Sequence, residues 1–497
     1  MRRAGRRAAR RRAAALLRRG AGRLDRIARR ALEGEPRRPR GRRAGPGRVG
    51  ARDLLHDRRP ASRRRQAVAL SADVVVVGGG LAGACAALAA REAGAEVLLI
   101  ARSPGATAMS SGAIDFAAAD DDAPIGEAAR RLARNAPGHP YALLGDALVP
   151  AIDDALALLE RHLAALGMQG ARSAADRNLW LATPLGRAKP AALAQGAIAA
   201  GDLRNLAARE GRLGVVALAG AQAIEARLLA HGLAPLLAPL CEAVVVAPDF
   251  YRQRADALRT LPEIAHDLDS PGRRAALGAS LARAAAQAHV THLLLPTVGL
   301  QDPLAARADL ERAAGVVVFE LLGAPPSVPG LRLQRALATA LEKAGVRSIS
   351  AIAERSSDGQ VQIVRGVECE PVRAGAVVLA SGRFLGGGIR CEADGRLRET
   401  VFGLPARAAG REALAALPNE RLFAERAAGP HPGLAAGVEA DSELRAGAAF
   451  VCGAVLGGFD PARDEGGLGV CAVTGVVAGR RAAREAGTAS ASGAVGR

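Results

Sequence analysis

The chain has 497 residues, with 68 basic and 49 acidic side chains and a net charge of +19. That length supports a large core in two or three domains and excludes a small disulfide-stapled module. The excess charge is local: residues 1–65 carry 25 arginines against five acids, a net of +20, and the remainder sums to −1.

Residues 1–70 hold no aromatic side chain for base stacking and no zinc or helix-turn-helix pattern, so no nucleic-acid partner is expected. Three readings of this arm stand open: a disordered tail, upstream sequence included by too early a start, and a transit peptide, for which it is basic and acid-poor but short of serine. Its apolar stretch at 13–17 is too short for a signal-peptide core. The six cysteines, Cys85, Cys241, Cys369, Cys391, Cys452 and Cys471, never form a CxxC pair, which points to a reducing compartment and argues against a zinc site or iron-sulfur cluster within this chain. A membrane span needs about 18–20 predominantly apolar residues. The two longest uncharged runs fail, 74–90 because it contains a glycine turn and 284–301 because it contains His289, His292 and Pro296. Only two of the basic residues are lysines, Lys189 and Lys343, so arginine abundance also reads as a compositional bias.

The first ordered stretch is expected at 73–102, as strand, glycine turn, helix and strand. Val74 to Val77 show no polar alternation, which suits a parallel strand covered on both faces. Gly78, Gly80 and Gly83 fall in GxGxxG register, allowing in turn a tight turn, close approach of a phosphate, and helix packing against the strand. The helix N-terminus then faces the anion. An acid usually follows the glycines by about 20 residues to hold a ribose hydroxyl. Here the second strand ends in Ala101 and Arg102, so either an adenosine ribose is held differently or the ligand has none.

Residues 103–117 form a loop of small and hydroxyl residues on which a flat ring can lie, and Asp120 to Asp122 mark a surface loop. Residues 125–166 read as helical, interrupted at 135–145 by two prolines and two glycines. Residues 171–200, with Trp180 and TPLG at 183–186, read as loop. Strands are expected at 213–220, 241–248, 292–295 and 316–321, helices at 221–231 and 281–288, and a rigid loop entering a helix at 321–337. A hairpin is expected from 348–353 and 360–367, then a strand running into glycines at 376–389, and last a helix with a glycine-rich start. No repeat of fixed period is present. The fold class expected is α/β: a split Rossmann-like domain with a parallel sheet, residues 71–124 and 344–485, carrying an inserted α/β domain at 125–343 and followed by a disordered tail at 486–497.

Three separated stretches, GGGLAG at 78–83, VVLASG at 377–382 and the C-terminal glycine segment, together resemble flavoproteins of the fumarate reductase and succinate dehydrogenase type. More closely, SSGAID, NAPGHPYALLG, TPLG, LLLPTVGL, PPSVPGLRLQ, LASGRFLGGGI and CGAVLGGFDP, in that order between about 73 and 481, are similar to the B subunits of the anaerobic glycerol-3-phosphate dehydrogenase family. The resemblance implies a flavin subunit with FMN, or alternatively FAD, a larger FAD subunit and an iron-sulfur membrane-associated subunit as partners, and a place at the inner face of the cell membrane through them. The reaction implied is oxidation of glycerol 3-phosphate to dihydroxyacetone phosphate, with electrons reaching quinone. Two other readings stay open: a fumarate-reductase-like FAD oxidoreductase acting on another small acid, and a non-catalytic electron-relay or assembly subunit.

Under this resemblance the cofactor contacts expected are Gly78, Gly79, Gly80, Leu81, Ala82 and Gly83 at the first stretch, Arg102 after the second strand, and Ser110, Ser111 and Gly112 in the small-residue loop. Ser381 and Gly382 follow beneath the cofactor, and Gly453, Gly457, Gly458, Gly467, Gly469 and Val470 close over the ring. A helix beginning near 467–470 brings positive dipole to the edge of the ring where reduced flavin gathers negative charge. The oxidation also needs a base for the hydroxyl proton and cations for the phosphate. His139 is the candidate base, with a backbone-bonded loop histidine as the alternative, and Arg332, Arg383 and Arg390 are candidates for the phosphate. Asp460 and Arg463 either orient the last loop or are ordinary polar loop residues. No metal ligand set is expected.

Overall fold

Four consecutive valines, each 6% exposed or less, form the centre of the molecule's main sheet. They belong to β1 (Leu70–Val77), which pairs in parallel with β2 (Val97–Ile100) on one side and with the long strand Glu368–Leu379 on the other. Covered on both faces, each such valine contributes about 1.5–3 kcal/mol of burial. The computed structural model describes residues 70–117, 122–218, 221, 224–251, 259–365, 368–408, 432–461, 463–464 and 466–495. The basic arm before Leu70, together with Asp120 and Asp121 of the expected surface loop, lies outside the described residues.

Between β1 and β2 runs α1 (Leu81–Glu92), buried from Leu81 to Ala90 because it lies between the sheet and the C-terminal helix Gly467–Val495. Small residues make that sandwich possible. A Cβ on Gly479 would stand 2.1 Å from the Ala86 carbonyl oxygen, and one on Gly475 2.6 Å from that of Ala82. The C-terminal helix continues to Val495, so residues 486–495, expected as a disordered tail, extend it. No proline interrupts that alanine-rich stretch.

Arg347–Ile349 adds a further parallel strand beside β2. On the far side, the first half of Glu368–Leu379 pairs antiparallel with Val361–Arg365, which pairs with Ile352–Arg355, while its last residues pair in parallel with Ala449–Val451. The hairpin expected from 348–353 and 360–367 is therefore corrected: only the part from Ile352 belongs to it, and Ser348 and Ile349 sit at the opposite edge. Apolar alternation runs through the bend at 350–351 and hides the change of partner.

A second, four-stranded parallel sheet runs in the order Val317–Glu320, His292–Leu295, Gly211–Val216, Cys241–Val246. Its two faces have their own cores, one around Leu277, Leu281 and Leu310, the other around Leu213, Leu229 and Phe319. The helices Ile125–Asn135 and Leu148–His162 contribute instead to the core of the main sheet. Two helices here differ from their expected limits: Ala226–Leu237 starts later, where the Glu225 side chain accepts the Arg227 N–H, and Pro271–Ala288 starts earlier, at a Ser-Pro entry.

Residues 171–200, expected as loop, contain a hairpin, Leu179–Ala182 with Ala188–Ala191, turned at TPLG. Pro190 is accommodated opposite Trp180 because a two-stranded ribbon leaves an edge where no donor is needed. The chain then pairs Leu193–Ala194 with Ala113–Ile114.

The helix Val328–Lys343 is tied to the second sheet by a buried ion pair. Arg332 Nη2 lies 3.0 Å from Glu320 Oε1, and the same nitrogen donates to the Gly299 carbonyl oxygen, with both side chains essentially inaccessible. Breaking such a pair leaves one uncompensated charge in the interior. In equilibrium denaturation of the full chain, Arg332→Met is expected to cost about 3–5 kcal/mol, and adding Glu320→Leu to recover most of the loss.

Candidate functional site

The C-terminal end of β1 turns at Gly78 with φ +124°, a conformation that favours glycine. A Cβ there would meet the Ala380 carbonyl oxygen at 2.1 Å, and a Cβ on Gly83 would meet the Gly78 oxygen at 1.9 Å. These two glycines therefore serve backbone packing. Gly80 differs: its φ of −80° and ψ of −176° suit any residue, and its nearest neighbour for a Cβ, Thr107 Oγ1, is 3.5 Å away. Its open space faces a cavity of about 830 Å³, near the upper end of the range for small-molecule sites. Thr107 Oγ1 accepts the Leu81 N–H at 2.9 Å and fixes the helix entry. The next N–H groups of the first turn have no carbonyl within the helix to receive them and suit an anion.

The cavity runs from this turn to the start of the C-terminal helix. Of the residues expected at the cofactor, Gly78, Gly79, Gly80, Leu81, Ala82, Arg102, Ser110, Ser111, Ser381, Gly382 and Gly467 line it. Gly83, Gly112, Gly453, Gly457, Gly458, Gly469 and Val470 stand behind the lining. Their conformations and close contacts explain the glycines: Gly112 abuts Pro329, Gly453 abuts Ala82, Gly457 abuts Gly437, Gly458 abuts the Gly138 oxygen, and Gly469 abuts Phe116. The PSVPG string is likewise a backbone fit, with Gly330 against the Ala108 and Ser110 carbonyl oxygens and Ser327 Oγ accepting the Gly330 N–H at 2.9 Å. Ser381 Oγ donates to Glu399 Oε1 at 3.3 Å, and Glu399, whose carboxyl burial raises, also accepts N–H groups of Val401 and Phe402.

The residues nominated for chemistry fare differently. Arg332 is spent on Glu320 in the interior and is absent from the lining, which removes it as a phosphate ligand. Arg383 does line the cavity, but its guanidinium donates to the carbonyl oxygens of Ala454, Leu434, Leu456 and Phe459 and lies over the Phe459 ring. Burial brings it down to about 10, so it remains cationic at neutral pH while organising the last loop. Arg390 lines the cavity while paired with Glu392 at 2.8 Å. His139 is fully buried between Tyr141 and Phe459 and is not part of the lining. Its Nδ1 accepts the Tyr141 N–H at 3.1 Å, so Nε2 carries the proton, and Nε2 finds no partner among the described residues. Burial lowers its pKa to about 4.

One pair escaped sequence reasoning. Lys189 Nζ and Asp115 Oδ2 are 3.0 Å apart, both on the cavity wall. Pairing of Leu193–Ala194 with Ala113–Ile114 brings their segments together, and the Asp115 carbonyl oxygen accepts the Gly469 N–H at the start of the C-terminal helix. The scarcity of lysine was the signal available for finding it. Cys471 also lines the cavity, its thiol pushed by burial up to about 11. No group of three potential metal-ligating side chains is found among the described residues.

The FAD binding domain family profile matches residues 73–470. The B subunit of the anaerobic glycerol-3-phosphate dehydrogenase of Pectobacterium atrosepticum is 31% identical over 80% of this chain and 95% of its own length. The chain belongs to that B-subunit family. The probable member from Halobacterium salinarum is 32% identical over 84% of this chain and 99% of its own length. Among solved structures, quinol fumarate reductase of E. coli is 14% identical over 84% of this chain and 71% of that one, at a TM-score of 0.37. A flavin-binding domain accounts for the cavity's features: open space at Gly80, free first-turn N–H groups, small residues along the floor and a second helix start at the far end. No helix among the described residues is long and apolar enough to cross a membrane.

Gly80→Ala is expected to leave the melting temperature of flavin-free protein unchanged and to weaken flavin retention by about tenfold or more, read from the absorbance of the purified chain, because a methyl there meets no protein atom closer than 3.5 Å and Gly80 lines the cavity. His139 stays neutral in the fold down to about 4 but protonates near 6.5 when unfolded. Stability is therefore lost as pH falls through that window, by about 3 kcal/mol in all. Between pH 7 and pH 5, paired denaturant titrations should show His139→Asn losing about 2 kcal/mol less than wild type.

Proposed function

We propose that this chain binds FAD and oxidises glycerol 3-phosphate to dihydroxyacetone phosphate as one subunit of a complex. The carrying observation is the cavity that joins the glycine turn, the serine loop and the start of the C-terminal helix, in a chain whose relatives bear that activity in their names. FAD is placed ahead of FMN because the family matched over 73–470 is described by FAD binding and the cavity is large enough for a dinucleotide. With no acid at Arg102, the adenosine ribose is held by other groups; Glu354, which also lines the cavity, is the carboxylate available at that end.

Bound FAD supplies the acceptor for the hydride from C2 of the substrate. This chain's residues do the rest. The α1 entry and Gly80 seat the cofactor's phosphate. Ser110, Ser111, Ser381 and Gly382 present small groups along the cavity wall, and the start of the C-terminal helix at Gly467 offers positive dipole where charge gathers on reduction. Arg383, held by four carbonyl oxygens, adds a fixed positive charge there rather than a mobile clamp. The partners of the complex in this reading are a larger FAD subunit and an iron-sulfur subunit leading to membrane quinone, and through them the chain sits at the inner membrane face.

The test is the absorbance spectrum of the full-length chain, identification of its cofactor after heat release, and anaerobic addition of glycerol 3-phosphate. Released FAD together with bleaching near 450 nm is the expected outcome. FAD with bleaching only by another small acid favours a different substrate, FAD that bleaches only in the assembled complex makes the chain an electron relay, and a folded sample that takes up no flavin refutes the proposal.

A further inference from the structure

We infer that Lys189 is a catalytic residue, set in place by Asp115, and that the pair carries away the hydroxyl proton of the alcohol substrate. The inference rests on the functional reading above and deepens it, because nothing in that reading removes this proton.

The cavity wall presents few groups able to do so. His139 is outside the lining, and burial drives the Cys471 thiol away from ionisation. Glu354 belongs to the strand Ile352–Arg355, which follows Ala351, whose N–H donates to the Ala101 carbonyl oxygen, at the glycine-turn end. Lys189 and Asp115 stand at the other end, where the Asp115 backbone meets Gly469. The Asp115 side chain is 7% exposed and that of Lys189 30%, so the carboxylate is enclosed and the amine has access to the cavity. Lys189 is held on the strand Ala188–Ala191, opposite Leu181 and followed by Pro190.

Composition supports a requirement for an amine. Of 68 basic residues only Lys189 and Lys343 are lysine, and Lys343 is an exposed residue at a helix end. A role in simple charge pairing is open to arginine, which supplies the cation in most of the other ion pairs found among the described residues. Guanidinium cannot release a proton under ordinary conditions, whereas an ammonium can.

The transfer balances as a relay. The substrate O–H bond breaks and its proton joins Nζ, while a proton already on Nζ crosses the 3.0 Å gap to Asp115 Oδ2. The C–H bond at the same carbon breaks with both electrons leaving as hydride to the flavin, so the alcohol becomes a ketone, the flavin is reduced and one proton rests on the pair.

The full-length chain with its native flavin, and its K189R, K189A and D115N variants, are compared. In K189R the flavin content is expected to match wild type, and the rate of anaerobic flavin reduction by glycerol 3-phosphate to fall about 100-fold or more, with affinity for dihydroxyacetone phosphate, read from the shift it causes in the oxidised flavin spectrum, changed by less than about threefold. K189A is expected to regain reduction with added ethylamine but not with guanidinium, and D115N to lose rate while retaining flavin. Wild-type reduction in K189R, a loss accounted for wholly by weaker dihydroxyacetone phosphate binding, or K189A unresponsive to ethylamine overturns the inference and leaves the functional reading intact. A flavin-loaded wild type that glycerol 3-phosphate does not reduce overturns both.

Discussion

Everything in the site hangs on backbone meeting backbone around Gly78. The turn after β1, the entry to α1 and the end of the strand Glu368–Leu379 approach so closely that a Cβ on Gly78 or Gly83 would fall within about 2 Å of a carbonyl oxygen. Ala380 continues the pairing by donating its N–H to the Val77 oxygen at 2.8 Å, which brings Ser381 and Gly382 to the cavity floor. The C-terminal helix closes the same assembly from behind, through Gly475 and Gly479 against the residues of α1, and Gly453, in the turn before that helix, packs on Ala82. Segments hundreds of residues apart are thus positioned by contacts that tolerate no side chain, and the cavity is the space they leave.

A chain so rich in arginine has more cations than a site can use, and two that stand near the cavity are engaged in holding the fold. Arg332 is neutralised in the interior by Glu320, an arrangement whose desolvation cost offsets much of its attraction, so it specifies how the helix Val328–Lys343 meets the second sheet more than it adds stability. Arg383 replaces hydrogen-bond donors that four carbonyl oxygens in the 434–459 region would otherwise lack. Both stand beside a glycine or proline loop, a position that describes equally well a residue that holds the loop and one that holds a ligand.

The βαβ unit was legible because its pattern is local: an unbroken apolar strand, glycines at fixed offsets and an alanine-rich helix all occur within thirty residues. The short strings PSVPG, LGGFDP and APGHPY were legible as signatures for a related reason, since they are places where one backbone packs on another and substitution is costly. They marked the neighbourhood of the site without separating lining from support. Gly458 and His139 illustrate this, the first pressed on Gly138 and the second enclosed beside Phe459, both one layer behind the cavity. The hairpin carrying Lys189 was illegible because its proline and turn residues read as loop, and its meeting with Asp115 depends on the non-local pairing of Leu193–Ala194 with Ala113–Ile114.

The same pairing bears on the electrostatics of the far end of the cavity. A lysine alone there would add to the positive contributions of Arg383 and the helix start, and would hold an anion as firmly before reaction as after it. Paired with Asp115 at 3.0 Å, it contributes little net charge and leaves the fixed dipole and guanidinium to favour whatever negative charge appears on reduction. Separation of the two tasks, a standing positive field from groups that cannot titrate near neutrality and proton movement in a neutral pair beside it, lets each proceed without weakening the other.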